Sequence, residues 1–225
     1  MKCIIPCAGE SSRMAYVPKH MVTIGGKPLL FHIMDTWRDS VDSFIFVLKR
    51  SMAYMWEYLP DNSAVVFQDE PKGLADAILR AEPYVNGRFV VALGDCLFKG
   101  EFDEIECDLG IGVWVTAIPK LLETGELYKN YLVETRGGIV THLKEKPTDL
   151  KAVGYCGMGV YFLDERVFGY IRSTKVKQGG GDLTMVLQAM VDAGEKLSAV
   201  LFHGNYINIG RPEDIMVAER MLNGK

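Results

Sequence analysis

The sequence is short of several things, and each shortage closes off a class of protein. No apolar run in its 225 residues approaches the ~20 needed to cross a bilayer, so no membrane span is expected. Cysteine is scarce: five residues, at 3, 7, 96, 107 and 156, an odd number with no C-x-x-C pair. That excludes a disulfide framework and points to reduced thiols in a cytoplasmic protein. Cys3 and Cys7 have no His or third Cys nearby to complete a metal site, so they read as small hydrophobes in and just after a strand. Positive charge is not in excess: 25 Lys and Arg face 29 Asp and Glu, a formal net charge of −4. A duplex-wrapping nucleic-acid binder and a polybasic membrane-surface protein are thereby excluded. The four histidines, His20, His32, His142 and His203, are dispersed without H-E-x-x-H spacing, so surface or half-buried positions are expected. G-x-x-x-x-G-K-[ST] and G-x-G-x-x-G are both absent. The N-terminal Met-Lys-Cys-Ile-Ile-Pro is apolar over too few residues for a signal peptide and reads as a buried first strand.

What is present is an alternation of strand and helix. Lys2–Pro6, Phe44–Leu48, Ala64–Phe67 and Phe89–Leu93 are short β-rich runs, mostly apolar throughout. Between them lie amphipathic stretches, with Leu30, Ile33, Met34 and Trp37 on one stripe and Leu74, Ala77, Ile78, Ala81 and Val85 on another. Residues 52–59 read as a further helix, and Trp37 and Trp56 as core packing. Apolar strands separated by such helices predict an α/β fold with a mostly parallel sheet covered on both faces. The second half differs. Gly137-Gly138 joins Tyr131–Thr135 to Ile139–Lys144 as a hairpin, and Gly157–Leu163 and Leu197–Phe202 are further strands. Helices are expected at 165–172, at 183–193 with Asp182 as its cap, and from Pro212 onward. With no repeat and no composition break, residues 1–225 are expected to form one domain with an antiparallel insertion.

Five short segments could carry chemistry. Ala8-Gly9-Glu10-Ser11-Ser12-Arg13, followed by Pro18-Lys19, is a Gly-bearing loop at a strand end with two cations, an arrangement that can cradle phosphate. Gly94-Asp95 follows a buried strand, where a carboxylate suits Mg²⁺ held jointly with substrate phosphate. Gln68 ends a strand five residues before Gly73-Leu74, and its amide can read a base edge in both directions. Glu145-Lys146-Pro147 ends the hairpin, and Asn208-Ile209-Gly210-Arg211-Pro212-Glu213-Asp214 turns a strand into a helix. Gly25-Gly26-Lys27 reads as a turn rather than a nucleotide loop.

Taken together and in this order, the five resemble the nucleotidyltransferases that make NDP-sugars from a sugar 1-phosphate and an NTP, such as glucose-1-phosphate thymidylyltransferases and uridylyltransferases. The matching motifs run from residue 3 to 219. The resemblance implies a Rossmann-like three-layer α/β/α domain whose mixed sheet carries an acceptor-side hairpin. It implies in-line attack of a phosphate oxygen on the α-phosphorus of an NTP, with Mg²⁺ as cofactor. Arg13 and Lys19 would neutralise the α-phosphoryl group and departing pyrophosphate, and Lys146 would grip the acceptor phosphate. Ala8, Gly9, Ser11, Ser12, Gln68, Gly73 and Leu74 would frame the nucleotide. Asp95 and Asn208 would hold the metal. Tyr131, Glu145 and Gly157 would meet the acceptor.

The chain also departs from that pattern. Ser11 stands where the family has a second Gly, putting a Cβ near the phosphates. The gap from Arg13 to Pro18 is short, as in the cytidylyltransferases of isoprenoid and phosphocholine metabolism. Asn208 stands where some members have Asp. Tyr131 aligns with a Gly whose backbone lies against the sugar, so its ring and hydroxyl are expected to line the acceptor site and to make glucose 1-phosphate a poor substrate. Gly73-Leu74-Ala75 resembles the thymidylyltransferase version of the base loop, which implies a pyrimidine nucleotide, dTTP or UTP over CTP. The alternatives are a cytidylyltransferase acting on a non-sugar phosphate or phosphonate, and a catalytically weak paralogue that binds nucleotide and regulates a partner. No nucleic-acid or membrane partner is expected. The β-helical acetyltransferase extension of bifunctional members is not expected either. The sequence does not fix the oligomeric state.

Overall fold

A computed structural model describes residues 1–9, 18–70, 72–102, 111–117, 129–147, 154–174 and 182–224. In chain order the elements are β1 (Lys2–Pro6), β2 (Thr23–Ile24), β3 (Lys27–Pro28), α1 (Leu29–Trp37), β4 (Ser43–Leu48), β5 (Ala64–Phe67), α2 (Leu74–Arg80), β6 (Phe89–Ala92), β7 (Cys96–Phe102), β8 (Ile111–Ala117), β9 (Tyr131–Arg136), β10 (Ile139–Glu145), β11 (Tyr155–Leu163), α3 (Arg166–Ser173), α4 (Asp182–Asp192), β12 (Leu197–Asn208) and α5 (Pro212–Asn223). Ten strands form one sheet in the order β5-β4-β1-β6-β11-β8-β12-β10-β9, with β7 attached to β12. The pairings among β5, β4, β1 and β6 are parallel, and β11, β9 and β10 add antiparallel ones.

The uniform apolarity of the early strands follows from helices on both faces. In β1, Cys3 and Ile5 enter the core shared with Leu30, Ile33 and Trp37 of α1, while Ile4 enters the opposite core with Ile78 of α2 and Val186 and Leu187 of α4. Alternate strand residues point to opposite faces, so a sheet covered on both needs apolar residues at every position. The stripe of α4 (Leu183, Val186, Leu187 and Met190) is fully buried, each side chain contributing about 1.5–3 kcal/mol by area. Gly25-Gly26 and Gly137-Gly138 all have positive φ, as the tight turns of two hairpins require.

Several expectations are corrected. The helix expected over 73–85 is α2 followed by a 3-10 turn, Glu82–Tyr84, because Pro83 has no N–H with which to continue the helix. Residues Arg50–Tyr58 form a 3-10 helix, and Trp56 on it is 55% exposed rather than in the core. His20 is buried, not at the surface. The strand expected to end at Phe202 runs on to Asn208. It lies parallel to β8 through Leu201 and antiparallel to β7 from Phe202, and β7 itself was not expected.

Candidate active site

The first half of the site forms at the carboxyl ends of β1 and β6, where open α/β sheets bind ligands. Gly94 follows β6 closely. A Cβ there would lie 2.7 Å from Cys7 Sγ and 2.9 Å from the Pro6 carbonyl oxygen, so only Gly lets the turn press on the end of β1. That contact delivers Asp95 beside the strand that leads into the Ala8-Gly9 loop. Lys19, in the 3-10 turn Lys19–Met21, places Nζ 3.2 Å from Asp95 Oδ2, and both side chains remain about one-quarter exposed. The pair spans 76 residues of chain. Ala8 is buried and Gly9 exposed. Ser11, Ser12 and Arg13 lie outside the described residues.

His20, next to Lys19 in the chain, is buried with Nε2 3.3 Å from Met55 Sδ. Burial pushes its pKa down to about 4, with Asp95 pulling the other way, so the ring is neutral at pH 7. Burial also raises the Cys7 thiol, and Asp95 adds to that, which leaves Cys7 protonated and unreactive.

β7 brings the second oxygen donor. Asn208 pairs with Cys96, and the Ile209 N–H donates to the Asp95 carbonyl at 2.7 Å. The Asp95 and Asn208 backbones are thus held close at the end of the ladder. Both side chains offer hard oxygen atoms, and Mg²⁺ takes few protein oxygens because it keeps water and phosphate as its other ligands. No group of three or more His, Cys, Asp or Glu that could hold a metal occurs among the described residues. The donor set suits an ion shared with a phosphate substrate. Just beyond, Asp214 accepts from the Gly210 and Arg211 N–H groups at 2.8 Å each and pairs with Lys129 at 2.9 Å. Burial works against its ionised form, but those donors outweigh it and hold the carboxyl below its usual range.

Gln68 lies at the end of β5 and is buried. Its Nε2 donates to the Gly73 carbonyl at 3.0 Å and to Asp76 Oδ2 at 2.7 Å. The two-way base reading expected of this amide is thus corrected, because both of its N–H groups are occupied. Gly73 has φ 96, a backbone open to Gly, and it opens α2 at Leu74.

The second half of the site is a row across three strands. Tyr131 of β9 lies opposite Glu145 of β10 on one side and Gly157 of β11 on the other. Residues paired this way share a face, so the three expected acceptor residues stand together. Glu145 Oε2 accepts from Thr184 Oγ1 of α4 at 2.8 Å, and its Oε1 lies 3.6 Å from Lys146 Nζ. Lys146 has φ 42, the sole positive φ at a non-Gly residue among those described, and its N–H is held by the Asn130 carbonyl at 2.9 Å. Tyr131 is 3% exposed. Its hydroxyl donates to the Met158 carbonyl at 3.1 Å, and its ring stacks on Tyr161 at 5.9 Å. The hydroxyl expected to face an acceptor is engaged with the main chain, and Tyr131 brings bulk to the row. Burial and the adjacent Tyr161 hold the phenol far above its ordinary pKa. The ring fills the space where a side chain at 157 would stand: a Cβ on Gly157 would come 2.1 Å from Tyr131 Cε2 and Cζ.

With this geometry in view, a profile described as Nucleotidyl transferase matches residues 7–224. The chain belongs to the nucleotidyl transferase family. Bifunctional protein GlmU of Methanocaldococcus jannaschii is 29% identical over 233 residues, an alignment covering 100% of this chain and 55% of the relative. This nucleotidyl transferase chain therefore spans about half the length of the GlmU relatives it matches. Among solved structures, the inositol-1-phosphate CTP transferase from T. maritima superposes with TM-score 0.81 at 22% identity, over 98% of this chain and 94% of that one. UDP-glucose pyrophosphorylase complexed with UDP-glucose gives 0.83 at 20% identity, over 99% and 98%. At these identities the likeness is one of fold.

Several residues of the candidate site carry no assignment from the sequence. Asp76 sat inside the Gly73–Ala77 motif without a role. Thr184 and Tyr161 carried no signal, since only the packing of α4 and β11 brings them to Glu145 and Tyr131. Asn130 accepts from Tyr206 through Oδ1 at 2.9 Å while its carbonyl holds Lys146, and only the sheet order joins these three.

Proposed function

We propose that the protein transfers a nucleotidyl group from an NTP to a phosphorylated acceptor, with a sugar 1-phosphate as the acceptor class. A phosphate oxygen of the acceptor forms a bond to the α-phosphorus, the bond from that phosphorus to the bridging oxygen breaks, and pyrophosphate leaves. The attacking phosphate is already anionic, so the site has to position reactants and neutralise charge rather than supply a base. The observation that carries this reading is the approach of Lys19 to Asp95 at 3.2 Å, at the carboxyl edge of the sheet.

Lys19, with Arg13 on the loop, would stabilise charge on the α-phosphoryl group and the departing pyrophosphate. Asp95 and Asn208 would hold Mg²⁺, which when bound neutralises phosphate charge. Ala8, Gly9, Ser11, Ser12, Gln68, Gly73 and Leu74 would frame the nucleotide. Lys146 would hold the acceptor phosphate, with Glu145 accepting hydrogen bonds from its hydroxyls. The identity of one solved relative as an inositol-1-phosphate CTP transferase, together with the bulk of Tyr131 in the acceptor row, supports a second reading in which the acceptor is an inositol phosphate. A pyrophosphate-release screen of the four NTPs and dTTP against sugar 1-phosphates and inositol phosphates, with and without Mg²⁺, tests both. Release with one pair of substrates is expected. Nucleotide binding without release across the panel would refute the enzymatic reading in favour of a regulatory nucleotide binder.

A further inference from the structure

The amide of Gln68 has an orientation that chemistry fixes. Its nitrogen faces the Gly73 carbonyl at 3.0 Å and Asp76 Oδ2 at 2.7 Å. Both partners can only accept, so the reversed amide would set an oxygen against two oxygens. Asp76 is itself held in place. Arg80, one turn further along α2, donates from Nε to the same Oδ2 at 2.8 Å and from Nη1 to the Phe67 carbonyl at 3.2 Å. Arg80 thus ties the carboxylate to the end of the strand that carries Gln68. The clamp closes from helix to strand: Arg80 fixes Asp76, and Asp76 with Gly73 takes both N–H groups of Gln68. A side chain that ordinarily offers both a donor and an acceptor is left with Oε1, which meets no protein donor among the described residues.

Resting on the nucleotide site proposed above, we infer that Asp76 is a positioning residue for base selection: it makes Gln68 accept only, so that the oxygen takes the ring N3–H of uracil or thymine. Cytosine carries a lone pair at that ring position and would set it against the Oε1 lone pairs. An amide free to turn over would tolerate either base by exchanging its oxygen for its nitrogen. The clamp removes that freedom.

The test measures kcat/KM for UTP, dTTP, CTP and N3-methyl-UTP with the acceptor found in the screen. The unmodified protein should prefer UTP or dTTP to CTP by about tenfold or more, and N3-methylation should cost about 10⁴-fold, since a site built around a hydrogen bond rejects the analogue that lacks it. Asp76→Asn replaces one of the two obligate acceptors with a group that can also donate, leaving only the Gly73 carbonyl to oppose turnover of the Gln68 amide, and the UTP-to-CTP ratio should fall at least about fivefold. A purely structural role for Asp76 would lower stability and leave that ratio where it was. The N3-methyl-UTP comparison needs no variant and decides the matter even if Asp76→Asn does not fold. Preference for CTP, equal use of UTP and N3-methyl-UTP, or an unmoved ratio in folded Asp76→Asn would overturn the inference while leaving the transferase reading in place. Absence of pyrophosphate release from every nucleotide would overturn both.

Discussion

Gly157→Ala tests whether Tyr131 and Gly157 form one unit of packing. Gly157 is not among the residues with positive φ, so its backbone admits alanine, and the requirement for Gly comes from the ring opposite. The added Cβ would stand 2.1 Å from Cε2 and Cζ of Tyr131 and 2.5 Å from Cδ2, whereas carbon atoms prefer separations of about 3.5–4.0 Å. The ring must retreat by more than about 1 Å to restore contact at that range. It has little freedom to do so, being 3% exposed, stacked on Tyr161 and bonded to the Met158 carbonyl. Overpacking of this kind costs about 1–3 kcal/mol, and loss of the buried hydrogen bond adds about 1 kcal/mol, giving about 3 kcal/mol for the single change. Tyr131→Ala should cost about 3–5 kcal/mol by leaving a cavity. In the double variant the methyl group enters that cavity, and Gly157→Ala should then be neutral or stabilising by about 0.5 kcal/mol. The expected coupling is about 3 kcal/mol, well above the scatter for independent sites. Urea unfolding of the parent, both single variants and the double variant measures it. Costs that add to within about 0.5 kcal/mol would refute the reasoning.

Three further outcomes follow from the nucleotide half of the site. Lys19→Ala should lower kcat by about a hundredfold or more with a smaller change in nucleotide affinity, because its charge matters most as negative charge develops on the leaving group; an unchanged kcat at saturation removes it from the site. Asp95→Ala should abolish Mg²⁺-dependent turnover while the far-UV circular dichroism and the urea midpoint stay near those of the parent; collapse of the fold would make Asp95 a structural residue. His20 has a folded pKa of about 4 against about 6.5 when unfolded, so below pH 6.5 the unfolded chain takes up a proton that the fold resists, and stability falls with pH until about pH 4. At pH 5 that loss is about 2 kcal/mol, and in His20→Leu the difference in unfolding free energy between pH 7 and pH 5 should shrink by about that amount; parallel pH profiles would show that another group is responsible.

The parallel half of the fold was legible because its strands are apolar at every position, a pattern that calls for helices on both faces. The candidate site could be picked out because Gly94-Asp95, Gln68 and Asn208 each stand at or just beyond a strand end, where open α/β sheets place ligands. β7 escaped notice because Lys99, Gly100 and Glu101 interrupt its apolar pattern, and its pairing with β12 is non-local. The burial of His20 depends on Met55, 35 residues away, and no local pattern announces it. The orientation of Tyr131 was beyond reach for a stricter reason. An error of one residue in strand register sends a side chain to the other face, and only the observed pairing with Gly157 removes that ambiguity. The left-handed backbone of Lys146 carries no local signal either, since Lys has neither the freedom of Gly nor the local hydrogen bonding of Asn.

The two halves of the site are fixed by different physics, and selectivity at each should reflect it. On the proposed nucleotide side, Gln68 is oriented by hydrogen bonds, so a base of the wrong polarity would leave a buried group unpaired. On the proposed acceptor side, the Tyr131 hydroxyl is engaged with Met158, which leaves the bulk of the ring as the means by which it would select. Exclusion by bulk is the weaker device: a change of a methylene or so in a pocket shifts preference by about 10–200-fold, against about 10⁴-fold or more for a missing hydrogen-bond partner. Tyr131→Gly should therefore broaden the acceptor range rather than exchange one acceptor for another. Glucose 1-phosphate should gain relative to the best acceptor of the screen, by about tenfold in the ratio of kcat/KM values. The cavity left by the ring will lower stability, but both substrates sample the same folded fraction, so the ratio is unaffected by it. Equal loss for the two acceptors, or no change in their ratio, would show that the ring packs beneath the hairpin without reaching the acceptor.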